Sequence, residues 1–185
     1  MPELAEVLFA TKAWAKGKGN KILKVETKDT SRVFRKLDPS LVRRMFKGST
    51  LEESETHGKK MLFRFSGGKW LGLHLGMTGW LFEEETGYSS TKHDALVLRQ
   101  ANRSLVFRDP RQFGRVLFHK GQDRPEWWTD LPPEVHSNDF TLERVRDILK
   151  RRKRALVKAV LLMQEFFPGI GNWMVDEILW RARIH

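Results

Sequence analysis

Met61-Leu62-Phe63-Arg64-Phe65-Ser66-Gly67-Gly68-Lys69-Trp70-Leu71-Gly72-Leu73-His74-Leu75 decides the fold of this chain. Two short runs of aromatic and aliphatic residues flank a Ser66-Gly67-Gly68 turn, which is the pattern of a β-hairpin. Comparable segments lie on either side: Ile22 to Val25, Trp80 to Phe82, Ala95 to Leu98, Ser104 to Phe107 and Arg115 to Phe118, separated by Gly, Asn or Asp. Short strands with such punctuation predict an antiparallel sandwich or barrel.

Helices are expected at both ends of this β-rich stretch. Leu4, Val7, Leu8, Ala10 and Trp14 form an apolar stripe over Glu3 to Lys16, closed by Gly17-Lys18-Gly19-Asn20. Pro125, Pro132 and Pro133 mark a connector, after which helices are predicted from Leu142 to Lys153, Ala155 to Glu165 and Asn172 to Ile184. The fold class is therefore α+β. Residues 1–125 form an N-terminal helix with an antiparallel β-sandwich, 126–140 a linker, and 141–185 a helical module.

Composition narrows the partner. The 185 residues carry a formal net charge of +11, which calls for a polyanion, and nucleic acid is the commonest soluble one. No apolar run reaches the ~20 residues of a membrane-spanning helix, and Glu3 and Glu6 break any signal-peptide pattern, so an intracellular, cytoplasmic protein without a membrane partner is expected. The absence of cysteine excludes disulfides, thiol chemistry and Cys-ligated zinc; six scattered histidines with no HExxH give no metal site, and no cofactor is expected.

Four places carry chemistry. Met1-Pro2-Glu3 would expose a proline secondary amine once Met1 is removed. An α-amino group titrates near ~8 against a lysine's ~10.4, so part of it is an unprotonated nucleophile at neutral pH. The plainer reading is that Glu3 only opens a helix, where a carboxylate suits the dipole. Arg144, Arg146, Lys150, Arg151, Arg152, Lys153, Arg154 and Lys158 precede Pro168-Gly169-Ile170-Gly171-Asn172, a glycine turn into a helix; together they suit a phosphodiester backbone, with Gly171 allowing close approach and Asn172 able to cap or to donate. His74-Leu75-Gly76-Met77-Thr78-Gly79 and Asp109-Pro110-Arg111-Gln112-Phe113-Gly114 put Met77, Arg111 and Phe113 on tight turns. Such side chains either fold back onto the core or insert into a distorted duplex.

In this order the segments resemble the formamidopyrimidine-DNA glycosylase and endonuclease VIII family of base-excision repair enzymes. Met1 to Val7 is similar to the family's start, with Ala5 where proline is usual. Gly58-Lys59-Lys60 resembles the site of its hairpin lysine, counting to the strand favouring Lys59. His74 to Gly79 is close to His-Leu-Gly-Met-Ser-Gly, Lys92-His93-Asp94 fits the next strand, Asp109 to Gly114 matches Asp-Pro-Arg-Arg-Phe-Gly with Gln112 for the second arginine, and Pro168 to Ile184 resembles the helix-two-turn-helix segment.

The resemblance implies a DNA glycosylase with abasic-site lyase activity that excises oxidised or ring-opened bases. Pro2 would attack C1′ of a flipped nucleotide to give a Schiff base, with β- and δ-elimination following. Glu3 would be the acid/base at the sugar ring oxygen, Lys59 a cation at the reacting sugar, and Glu6 a support for the N-terminus. Met77, Arg111 and Phe113 would fill the vacated space; Lys158, Gly171, Asn172, Arg151 and Arg154 would hold phosphates. The partner implied is double-stranded DNA with a damaged base or abasic site, bound by a monomer. Family members usually continue into a zinc or zincless finger, whereas this sequence stops at His185 and is expected to be a truncated or naturally reduced member. The alternatives are a non-catalytic binder of damaged or abasic DNA on the same fold and, on charge alone, a basic RNA-associated protein.

Overall fold

The computed structural model describes residues 2–184; Met1 and His185, on which the expectations about N-terminal processing and the chain's end rest, lie outside the described residues. Two four-stranded antiparallel sheets form the larger part. The first has the order β1 (Lys24–Thr27), β6 (Asp94–Arg99), β7 (Arg103–Arg108), β5 (Trp80–Glu85). The second runs β2 (Leu51–His57), β3 (Lys60–Phe65), β4 (Lys69–His74), β8 (Arg115–Lys120). The hairpin read from Ser66-Gly67-Gly68 is present, with Phe65 opposite Lys69 and both glycines at positive φ.

Helix α1 (Leu4–Ala15) packs against β5 and β2. Its Trp14 is fully buried: the ring lies 5.0 Å from that of Phe63 in one sheet, and its indole N–H donates to the Val106 carbonyl of the other at 3.2 Å. One side chain thus joins helix and both sheets, and satisfies its polar atom while doing so. Phe46, at the end of α2 (Pro39–Phe46), closes the core against Phe65, ring centroids 4.7 Å apart.

Two elements escape a reading of sequence pattern for physical reasons. Strand β2 is Leu-Glu-Glu-Ser-Glu-Thr-His, an edge strand whose exposed carboxylates serve Arg64 and Arg124 rather than a core, so it shows no apolar alternation. Helix α2 has only eight residues, yet carries the Asp38-Pro39 start, with the Asp38 carboxylate accepting the Ser40 N–H at 2.8 Å. The first strand lies two residues later than expected, at Lys24–Thr27, because Ile22 pairs outside it, its N–H donating to the Ser49 carbonyl at 2.7 Å.

The stretch expected to be a linker includes one short helix. Short helix α3 (Glu126–Thr129) lays Trp128 onto Leu62 and Trp70, forming a small apolar cluster on the outer face of the second sheet. Beyond it, α4 (Leu142–Arg151), α5 (Val157–Leu161) and α6 (Asn172–Arg181) enclose a separate core of Ile148, Val160, Phe167, Ile170 and Val175. The middle helix is far shorter than predicted. After Leu161 the backbone goes into turns, Met163 N–H donating to the Val160 carbonyl and Phe167 N–H to that of Met163, and the Gln164 side chain binds the backbone beyond, accepting from Gly169 N–H and donating to the Ile170 carbonyl. Among the described residues no helix is long and apolar enough to cross a membrane.

Candidate nucleic-acid interface and active site

The centre of the site is Glu3, a carboxylate only 2% exposed. It immediately precedes α1, and its own N–H donates to the Glu6 carboxylate at 3.1 Å, which fixes the direction in which half-buried Pro2 leaves the helix. The Glu3 side chain reaches the helical module, where its two oxygens accept the N–H groups of Trp173 (3.1 Å) and Met174 (3.3 Å) in the first turn of α6. Those groups are helix-end donors that need a partner, and an anion is the favoured one.

Gly171 is packed against this carboxylate: a Cβ there would lie 2.1 Å from the Glu3 carboxyl carbon, so only a glycine admits Glu3 at this point. Two of the amide donors expected to meet a phosphodiester are likewise occupied by Glu3. Asn172 keeps an exposed side chain at the head of α6. Lys158 is exposed and paired with Asp176 at 2.5 Å, a surface contact worth at most ~1 kcal/mol and therefore weak enough to exchange for a phosphate.

Gly58-Lys59 forms the turn between β2 and β3 and wedges against the Pro168-Gly169 turn. A Cβ on Gly58 would meet Gly169 N at 2.9 Å, and the Gly58 N–H donates to Glu134 at 2.9 Å. This close approach buries Lys59 to 8% exposure. Burial pulls its ammonium below the ordinary lysine pKa, while the nearby charges of Glu3 and Glu6 pull it back up. Lys59 therefore sits in the field of the two N-terminal carboxylates.

Lys60 is a second cation of the cleft, beyond the lysine that the sequence singles out. It begins β3 opposite His74, which in turn lies opposite Arg115 on β8, giving a row of three across the sheet end. Its signal is the hairpin register: counting outward from Ser66-Gly67-Gly68 pairs Lys60 with His74. With Arg35, Phe113 and Trp127 the row lines a cavity of about 540 Å³. His74 accepts the Gly76 N–H on Nδ1 at 3.0 Å, and burial, followed by the charges of Lys59, Lys60, Arg35 and Arg115, holds its pKa below the usual value. The ring is thus a neutral imidazole carrying its proton on Nε2.

Met77 and Phe113 lie on loops locked together by Asp109, which is 1% exposed. Its carboxylate accepts the Thr78 hydroxyl at 2.9 Å and the Gly114 N–H at 2.6 Å, and Thr78 Oγ1 accepts the Arg111 N–H at 3.3 Å. Gly76, at φ +67°, runs against the Phe113-Gly114 backbone so closely that a Cβ would sit 2.5 Å from Gly114 N. The loops hold Met77 at 43% and Phe113 at 44% exposure, with the Arg111 guanidinium 4.9 Å from the Phe113 ring centre. Neither apolar side chain folds back into the core. Gln112 turns away: at φ +58° it accepts the Arg32 N–H at 2.9 Å.

The basic run does not continue a helix. Arg151 ends α4, with its Nε–H on the Asp147 carbonyl, and Arg151, Arg152, Lys153, Arg154 and Ala155 line an open hollow of about 490 Å³. No acidic side chain lines it.

The whole chain is similar to known proteins. Residues 1–116 match the family model described as formamidopyrimidine-DNA glycosylase N-terminal domain, and residues 131–185 that of the formamidopyrimidine-DNA glycosylase H2TH domain. Proteins named formamidopyrimidine-DNA glycosylase from Roseiflexus sp. (strain RS-1) and Solibacter usitatus are 38% and 36% identical over all of this chain, which spans 68% and 67% of their lengths. Among solved structures, Lactococcus lactis Fpg in complex with abasic-site DNA superposes with a TM-score of 0.86 at 28% identity, covering 99% of this chain and 68% of that one. The wild-type Lactococcus lactis protein bound to DNA containing an oxidised pyrimidine gives 0.86 at 29% identity, covering 100% and 69%.

Proposed function

Since the chain belongs to the formamidopyrimidine-DNA glycosylase family, a family of DNA glycosylases of base excision repair, we propose that it couples base removal to strand cleavage through its N-terminal proline. The Pro2 amine, freed by removal of Met1, attacks C1′ of a nucleotide extruded from the duplex. The N–C1′ bond forms as the glycosidic bond breaks, the base departs with the bonding pair and takes a proton from water, and the proton that the Pro2 nitrogen loses passes to the Glu3 carboxylate. Glu3 delivers a proton to the sugar ring oxygen, C1′–O4′ opens, and an iminium links protein to sugar. Loss of a C2′ proton then expels the 3′ phosphate. Lys59 offsets the negative charge gathering at the sugar and its phosphates.

The observation that carries this reading is the grip of α6 on Glu3 beside Pro2, with Lys59 buried in the same field. Holding a carboxylate rigidly next to the nucleophile is what acid/base catalysis at a fixed sugar requires. The substrate is double-stranded DNA: Met77, Arg111 and Phe113 fill the space left by the extruded nucleotide, and Asn172, Lys158, Arg151 and Arg154 hold the backbone.

The test is a duplex carrying one oxidised or ring-opened base, followed for free base and for strand scission. Release of both products supports the proposal. Tight binding of the lesion duplex with neither product would make the protein a binder of damaged DNA.

A further inference from the structure

Trp173 is 53% exposed in the first turn of α6, the end of the helix nearest Glu3, whereas the exposed Ile178 and Trp180 lie in its later turns. Met174, Val175 and Leu179 pack inward with Ile148, Val160 and Phe167; Trp173 takes no part in that cluster. Its backbone N–H nevertheless donates to Glu3 Oε1 at 3.1 Å, so the indole is rooted beside the buried carboxylate. The residue before it in the chain is Asn172, which is exposed.

We propose that Trp173 is the stacking platform for the extruded base. A nucleotide whose sugar lies at Glu3 and whose phosphate lies at Asn172 has its base within reach of a side chain whose backbone N–H holds Glu3 and which follows Asn172 in the chain. A large, rigid, half-exposed aromatic at that point offers a π face, which any damaged or ring-opened nucleobase can use whatever its hydrogen-bonding edge. Trp173 is thus a specificity-determining residue for base-bearing lesions: it favours a planar base over an empty socket, without touching the reacting bonds. The inference rests on the function proposed above.

The experiment compares two substrates in the same protein: a duplex bearing a formamidopyrimidine lesion and one bearing a preformed abasic site, which has no base to stack. Trp173→Ala is expected to lower kcat/KM for base release by roughly tenfold or more, chiefly through KM, with abasic-site cleavage changed less than about twofold and Trp173→Phe restoring most of the loss. Equal losses on both substrates, or no loss on either, would overturn the platform role. If the unaltered protein cleaves neither substrate, the catalytic proposal fails while the platform is still tested: Trp173→Ala must then lower the ratio of affinities for lesion over abasic duplex, and an unchanged ratio refutes it.

Discussion

The Glu3 carboxylate accepts the backbone N–H of Trp173 at 3.1 Å, so the residue before the first helix is the N-terminal cap of the last one. The contact turns two cores into one working site, because the proposed acid/base is positioned by the helical module and not by its own domain. Gly171 makes the approach possible, since an added Cβ would stand 2.1 to 2.5 Å from the carboxyl group. Gly171→Ala should therefore displace Glu3 and lower base excision ~10²-fold, as a misplacement of about 1 Å can. Glu3→Gln should cost ~10² to 10⁴-fold with duplex affinity nearly unchanged. Single-turnover base release and equilibrium binding on both variants check this; affinity falling in step with excision would make Glu3 a structural residue only.

Met77 and Phe113 are held outward by loops that Asp109 ties together. Met77→Ala and Phe113→Ala should leave the melting temperature nearly unchanged but lower the preference for abasic or lesion duplex over undamaged duplex, each inserted side chain contributing ~1 to 3 kcal/mol. Core residues would behave the other way, with a stability loss of ~2 to 5 kcal/mol and an unchanged preference.

The hollow of Arg151, Arg152, Lys153 and Arg154 faces solvent without an acidic partner lining it. Neutralising Arg151 and Arg154 should weaken binding to every duplex alike and reduce the slope of log affinity against log salt by ~0.9 for each phosphate no longer neutralised. Titrations at several salt concentrations measure it, and an unchanged slope would leave the run as solvated surface.

The parts of the fold legible in the residues are those with local signals. The hairpin around Ser66-Gly67-Gly68, the α1 helix and the two glycine-flanked loops carry their pattern within a few residues, and the structure has them; of the expected α1 stripe, Val7, Ala10 and Trp14 are buried, whereas Leu8 is 40% exposed, because the buried face runs through Thr11 instead. Strand β2 does not announce itself because its side chains meet arginines and water, and α5 is overextended by sequence pattern because apolar spacing continues past the point where Gln164 takes up the backbone. The packing of Gly171 against Glu3 is not legible in the sequence, because no local pattern reveals a partner 168 positions earlier in the chain. The family-like motif favours Lys59 over Lys60, although the pairing of Lys60 with His74 follows from the turn; Lys59 lies in the field of Glu3, and Lys60 lines a cavity with Phe113.

The proposed chemistry depends on the Pro2 amine. Borohydride added during reaction with an abasic-site duplex should trap a covalent complex, and peptide mapping should place the linkage on residue 2 of protein from which Met1 has been removed. Pro2→Gly, or an N-terminal tag left in place, should reduce or abolish trapping. Undiminished trapping by a protein with a blocked N-terminus, with the linkage mapped to a lysine, would contradict a proline nucleophile.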